Sequence, residues 1–166
     1  MQSRGFRPVA SPDARVLILG TLPGPKSLAL RQYYGNPGNA FWPIMGRLVG
    51  AGPELAYPQR LAALTASRVA LWDVCHSAYR PGALDADIDH ASIVPNDFRR
   101  FLAAHRGIER ICFNGQKAEQ LYRRLVLPEL PASLCDIARL TMPSTSPAYA
   151  SMRFEAKLER WQAVIA

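Results

Sequence analysis

Four short apolar runs recur along the chain, and each gives way to a polar or turn-forming residue. They are Arg15-Val-Leu-Ile-Leu-Gly20, Arg68-Val-Ala-Leu-Trp-Asp73, Arg110-Ile-Cys-Phe-Asn-Gly115 and Ile137-Ala-Arg-Leu-Thr-Met142. A continuous apolar run marks a strand covered on both faces, and such strands build parallel sheets. The gaps carry helical spacing. Phe41, Ile44, Met45 and Leu48 recur at three and four within residues 40–48. Phe98, Phe101, Leu102 and His105 do the same behind Pro95-Asn96-Asp97, where the acid suits a helix start and His105 is expected in the core. Ala118, Leu121, Tyr122 and Leu125 follow Gly115-Gln116, and Phe154, Leu158, Trp161 and Ile165 form a last stripe. Alternating strands and helices predict a three-layer α/β/α sandwich on a four-stranded parallel sheet with right-handed crossovers. One domain over residues 1–166 is expected, with residues 1–12 disordered.

In such folds the chemistry lies in loops at the carboxyl ends of the strands. Four loops qualify: residues 20–40, 73–93, 114–117 and 143–151. The first is rich in Gly and Pro yet lacks both the GxGxxG and the GxxxxGK[ST] patterns, which argues against nucleotide-triphosphate chemistry. Its stiff backbone can aim amides at a ligand, or can simply turn. Asp73, at a strand tip, is read as a helix cap, a structural acceptor or a ligand acceptor. Asp85-Ala-Asp-Ile-Asp-His90 fails as a calcium loop, because the sixth and twelfth places hold His90 and Asn96, so it is read as solvated. His76 is placed where it could face the cleft. In the fourth loop, Ser144, Thr145 and Ser146 stand between Pro143 and Pro147, as phosphate contacts or as a plain hydroxyl turn. No GxSxG elbow occurs, which excludes the usual acyl hydrolases.

Composition narrows the partner. The 166 residues carry a net charge of +7, with 17 arginines and three lysines among the cations. Arginine forks suit phosphates, so a nucleic-acid partner gains weight, although a GC-rich genome would also write arginine freely. Three cysteines without a CxxC pair argue against a disulfide framework and against a thiolate-held metal or cluster. No run approaches the ~20 apolar residues of a membrane helix, and Met1–Pro8 lacks a signal-peptide core. A reducing cytosol, bacterial cytosol or nucleoid, is the expected location.

Taken jointly, several segments resemble the uracil-DNA glycosylase superfamily, most of all its hypoxanthine-type branch, the DNA-deoxyinosine glycosylases. The matching residues are Gly20-Thr-Leu-Pro-Gly24 with Ser27, Tyr33-Tyr-Gly-Asn-Pro-Gly-Asn-Ala-Phe-Trp-Pro43, Leu71-Trp-Asp-Val74, Arg80 with Gly82 and Leu84-Asp85, Phe113-Asn-Gly115 with Ala118, and Pro143-Ser-Thr-Ser-Pro-Ala148. The resemblance implies the same α/β/α fold and a monofunctional glycosylase of base-excision repair. Such an enzyme flips a deaminated base from DNA and hydrolyses its N-glycosidic bond, hypoxanthine before mismatched uracil.

It also implies site roles. Asn39 would orient the water, an alternative use being the cap of the following helix. Phe41 would stack on the base, Asp73 would accept from its N1–H, and Thr21 and Leu22 would border it. A backbone N–H of the Thr21–Gly24 turn or of Cys75 would meet O6. Lys26, Ser27, Arg80, Ser144, Thr145 and Ser146 would hold DNA, and Tyr149 or Met152 would wedge the duplex. Leu22 departs from the mismatch-specific cousins, which place a water-holding Asn there. No lysine matches a Schiff-base nucleophile, and the cysteine count speaks against the iron–sulfur variant. No cofactor, metal or membrane is expected; the partner is DNA bearing a deaminated base, and the chain is expected to act as a monomer. Two other readings stay open: a non-catalytic DNA lesion-binding module, and a small-molecule nucleosidase.

Overall fold

A computed structural model describes residues 2–166. The chain starts with strand β1 (Gln2–Arg4), then β2 (Val16–Gly20), α1 (Pro25–Leu30), α2 (Phe41–Val49), α3 (Tyr57–Ala66), β3 (Val69–Asp73), β4 (Cys75–Tyr79) and β5 (Val94–Pro95). It continues through α4 (Phe98–Ala104), β6 (Arg110–Asn114), α5 (Gln116–Leu121), α6 (Ala132–Cys135), β7 (Ala138–Met142) and α7 (Phe154–Trp161). The four apolar runs form one parallel sheet in the order β3-β2-β6-β7.

Its two faces are covered separately, as continuous apolar strands require. Leu17, Leu19, Ala70, Trp72, Ile111 and Phe113 pack with Phe98 and Phe101 of α4 and Leu121 of α5. Their alternates Val16, Ile18, Leu71 and Cys112 pack with Phe41, Ile44 and Met45 of α2 and Trp161 of α7. The three-layer α/β/α sandwich on a four-stranded parallel sheet read from the sequence is the fold observed. Asp97 caps α4 as expected, its side chain accepting from Arg100 N–H at 3.1 Å. Cys75 and Cys112 are buried in different clusters, on opposite faces of the sheet.

Three expectations are corrected. Residues 2–12 were expected to be disordered, but β1 pairs antiparallel with β4, and Val9 exchanges backbone bonds with Leu71; Met1 lies outside the described residues. No helix starts at Asp73, because the chain runs directly into β4, the centre of a three-stranded antiparallel sheet β1-β4-β5. His105 is half-buried rather than in the core, its ring stacked on Phe101 with centroids 4.2 Å apart.

Candidate active site

All four loops at the carboxyl ends of the parallel strands border one cavity of about 620 Å³. Gly20, the last residue of β2, lies on its lining. A methyl group on Gly20 would lie 2.5 Å from Asp73 Oδ1 and 2.8 Å from the Tyr34 hydroxyl, so this place excludes every side chain. Asp73 is delivered there by the register that pairs it with Gly20 across β2 and β3. The main chain beyond it is fixed by Asn96, whose Nδ2 donates to Asp73 O at 2.7 Å.

The walls hold polar atoms without partners. Thr21 Oγ1, the Tyr34 hydroxyl, Asp73 Oδ2 and Arg80 Nε are buried and unpartnered, although Thr21, Asp73 and Arg80 are each only 4% exposed. Buried polar groups are normally satisfied, so four such atoms around one cavity point to a ligand that would satisfy them. The ion pairs among the described residues do not reach Asp73. Burial, then repulsion from Asp85, lifts its carboxyl to about 7, against a smaller opposing pull from Arg80. Tyr34 holds a left-handed backbone with φ 53°, a conformation a bulky side chain adopts at a cost, and burial pushes its phenol upward.

Asn39 lies on the cavity wall, in the loop before α2. Its Oδ1 accepts from Phe41 N–H at 2.9 Å, so it holds the helix start from one residue before the N-cap, Ala40. Ala40 N–H in turn donates to Thr145 O at 3.0 Å, tying this loop to the fourth. Thr145 is then locked to β6, because Asn114 Nδ2 donates to Thr145 Oγ1 at 2.8 Å while Asn114 Oδ1 accepts from Thr145 N–H at 2.9 Å. The two bonds make the fourth loop a rigid extension of the sheet.

Several residues sit differently from their expected roles. Phe41 is fully buried and stacks on Tyr34, centroids 4.1 Å apart; of the two stacked rings it is Tyr34 that borders the cavity, as Tyr33 and Tyr149 also do, and no role for Tyr34 followed from the sequence. Ser27 is buried, and its Oγ accepts from Gly35 N–H at 2.9 Å, so it braces the loop instead of standing at the surface for phosphate. Arg80 is buried and its Nη2 donates to Pro23 O at 2.7 Å, a strut under the first loop. Thr145 is fully buried in the Asn114 lock. Cys75 N–H is taken by Thr21 O at 3.0 Å and cannot meet a ligand. His76 borders a second hollow with Trp72 and Phe101, away from this cavity.

Phe41 apart, the positions named for base and DNA nonetheless converge. Thr21, Leu22, Asn39 and Asp73 border the cavity, with Lys26, Ser27, Arg80, Ser144, Thr145 and Ser146 also on its lining. Lys117 joins them, its Nζ 2.5 Å from His90 Nε2, a contact the sequence reading did not foresee. Two of the chain's three lysines thus border this cavity. Among the described residues no group of acids, histidines and cysteines is arranged to hold a metal ion, and no helix is long and apolar enough to cross a membrane.

A parallel-sheet sandwich whose strand tips enclose one cavity of unpaired polar atoms, with lysines on its lining, has the build of a protein that takes in a single polar ring from an anionic partner. The family model described as Uracil DNA glycosylase superfamily matches residues 8–165, and the chain belongs to that superfamily. Two relatives named hypoxanthine DNA glycosylase are similar over 119 residues, 71% of this chain and 74% of each relative. The one from Methanosarcina acetivorans is 40% identical and the one from Methanosarcina barkeri 37%. A solution NMR structure from Methanosarcina acetivorans, described as a candidate uracil DNA glycosylase, superposes with a TM-score of 0.81 at 34% identity, covering 99% of this chain and 97% of that one.

Proposed function

We propose that this protein is a monofunctional DNA glycosylase that hydrolyses the N-glycosidic bond of a flipped deaminated base, hypoxanthine ahead of mismatched uracil, and acts as a monomer without a cofactor. The observation that carries the reading is the meeting of Asn39, Tyr34 and Asp73 at one cavity, with Gly20 cleared to let a flat ring reach the bottom. The superfamily and the names of the two relatives support it.

The site divides the work as follows. DNA is held by Lys26, Lys117, Ser144 and Ser146, while Ser27, Arg80 and Thr145, on the same lining, brace the loops through their bonds to Gly35, Pro23 and Asn114. The flipped base stacks on Tyr34, with Leu22 as an apolar wall. Asp73 in its ionised form accepts from N1–H of hypoxanthine, and the unpartnered Thr21 hydroxyl donates to O6. Adenine presents a lone pair at N1, which a carboxylate repels, so the same group separates the deaminated base from its parent.

Asn39 cannot abstract a proton. Its Oδ1 has two lone pairs, one used by Phe41 N–H, and the second accepts from the attacking water. Water adds its oxygen to C1′ and releases a proton to solvent as the bond pair leaves with the base. The rate comes from fixed geometry and from stabilising the departing base and the cationic sugar.

The direct test incubates the protein with oligonucleotides bearing hypoxanthine, uracil or xanthine, then applies alkali. Strand breaks at hypoxanthine that need alkali are expected. Breaks without alkali would overturn the monofunctional assignment, and none on any substrate would overturn the reading.

A further inference from the structure

Helix α7 grips the fourth loop at two points. Trp161 Nε1 donates to Pro143 O at 2.9 Å, and Lys157 Nζ donates to Tyr149 O at 2.7 Å. The Lys157 ammonium also lies 5.1 Å from the centroid of the Tyr149 ring. Lys157 is 6% exposed, and the ion pairs among the described residues do not include it. Burial accordingly lowers its affinity for a proton.

An ammonium removed from water without an anion beside it is costly, and an apolar side chain of the same length would fill this space at less expense. Packing therefore does not explain a lysine here. What only the lysine supplies is a donor to the Tyr149 carbonyl and a charge under its ring. Tyr149 itself stands at the cavity lining, 38% exposed. With Pro143 held by Trp161, Thr145 locked to Asn114 and Tyr149 N–H turned back onto Ser146 O at 3.0 Å, the Lys157 bond ties this end of the loop to helix α7.

We propose that Lys157 is a positioning residue for duplex opening: it holds the Tyr149 backbone at the mouth so that the ring enters the space vacated by the flipped base. The inference rests on the glycosylase reading. An aromatic side chain on an untethered loop would lose conformational freedom on insertion, whereas a pinned one has lost it on folding. A single-stranded substrate has no stack to fill, so it does not need the pin.

The test measures single-turnover release of hypoxanthine from duplex and from single-stranded oligonucleotides. For Lys157→Met, a roughly 10–100-fold loss on duplex is expected, the range for losing a charge-assisted hydrogen bond, with single-strand release within about twofold. Lys157→Arg restores most of the duplex rate, and the thermal midpoint of Lys157→Met is not lowered. Tyr149→Ala, at an exposed position, gives the same duplex-only loss, and adding Lys157→Met to it brings no further loss. Equal losses on both substrates, full duplex activity of Tyr149→Ala, or additive losses in the double variant would each overturn the proposal. A wild-type protein active on single strands but insensitive to either change on duplex overturns this inference alone. A wild-type protein inert on both substrates overturns the glycosylase reading with it.

Discussion

The rings of Tyr34 and Phe41 stack with centroids 4.1 Å apart and planes 23° from parallel, and only Tyr34 borders the cavity. The pair forms one aromatic platform, Tyr34 at the cavity and Phe41 buried behind it. Tyr34→Ala is expected to lower kcat/KM by roughly 10–100-fold, the equivalent of about 1–3 kcal/mol for one base–aromatic stack, and to cost less stability than the core deletion because its ring is only partly buried against Phe41. Phe41→Ala is expected to cost about 3–5 kcal/mol in denaturant unfolding, as a large core deletion does. Steady-state kinetics and urea titration of the two variants separate the roles; the opposite assignment would reverse which assay responds.

Asp73 makes both stability and activity depend on pH. Its carboxyl titrates near 7 in the folded protein against 3.8 as the reference, so the folded state keeps its proton over that interval while the unfolded chain loses it. Folding stability from this group is therefore full below about 4 and declines as pH rises through 7, by about 4 kcal/mol in total. Asp73→Asn has no such proton to lose and is expected to gain on wild type between pH 5 and pH 8, measured by urea unfolding at both. Activity runs the other way. Accepting N1–H needs the carboxylate, so kcat/KM for hypoxanthine is expected to climb with pH and level off above about 7. That limb should vanish in Asp73→Asn, which should also lose discrimination against adenine.

The parallel sheet was legible because β2, β3 and β6 are buried on both faces, which favours an unbroken apolar run, whereas the edge strand β7 is exposed over Ala138–Leu140; the run at 15–20 became Val16–Gly20, a shift of one residue. The antiparallel sheet was not legible. Gln2–Arg4 is polar, β5 is two residues including a proline, and what makes them strands is pairing with β4, Gln2 opposite Tyr79 and Val94 opposite Ser77. The site was partly legible for the same reason. Asp73, Asn39 and the first loop follow from strand tips, but the exchange of Phe41 for Tyr34 depends on which ring faces inward. The helical stripe of Phe41, Ile44, Met45 and Leu48 already placed Phe41 on the buried side of α2, a signal that competed with the motif reading. The burial of Thr145 rests on a bond to Asn114, 31 residues away, which no local pattern announces.

Lys26 and Lys117 line the cavity from different loops, and no acidic partner neutralises either one in the ion pairs among the described residues. Each is therefore free to displace a counterion from a phosphate. Changing either lysine to Ala is expected to flatten the log–log dependence of DNA affinity on salt by about 0.9 and to weaken binding alike for damaged and undamaged oligonucleotides. Fluorescence anisotropy across a salt series measures both. A salt-independent wild-type protein would instead fit a nucleosidase acting on free small molecules.

Asn39 distinguishes an enzyme from a lesion sensor. Its side chain is held at 2.9 Å to the start of α2, and the next residue is tied to Thr145, so its position does not depend on a ligand arriving. A sensor would use such a residue to bind, and removing it would weaken affinity. A catalyst that orients water uses it in the transition state, where removal lowers kcat and leaves binding intact. Asn39→Ala is expected to reduce single-turnover base release on the order of 10²–10³-fold, as losing one preorganised polar group at a reacting centre does, with Kd for hypoxanthine-bearing DNA changed by less than about twofold. The lost bond to Phe41 N–H should appear separately, as roughly 1 kcal/mol of stability. Asn39→Asp keeps an acceptor there, so it should retain the helix start and recover part of the rate above the pH at which the new carboxyl ionises. If Asn39→Ala instead weakens binding in proportion to any loss of rate, the residue is a contact to the base or the DNA and the water must be held elsewhere.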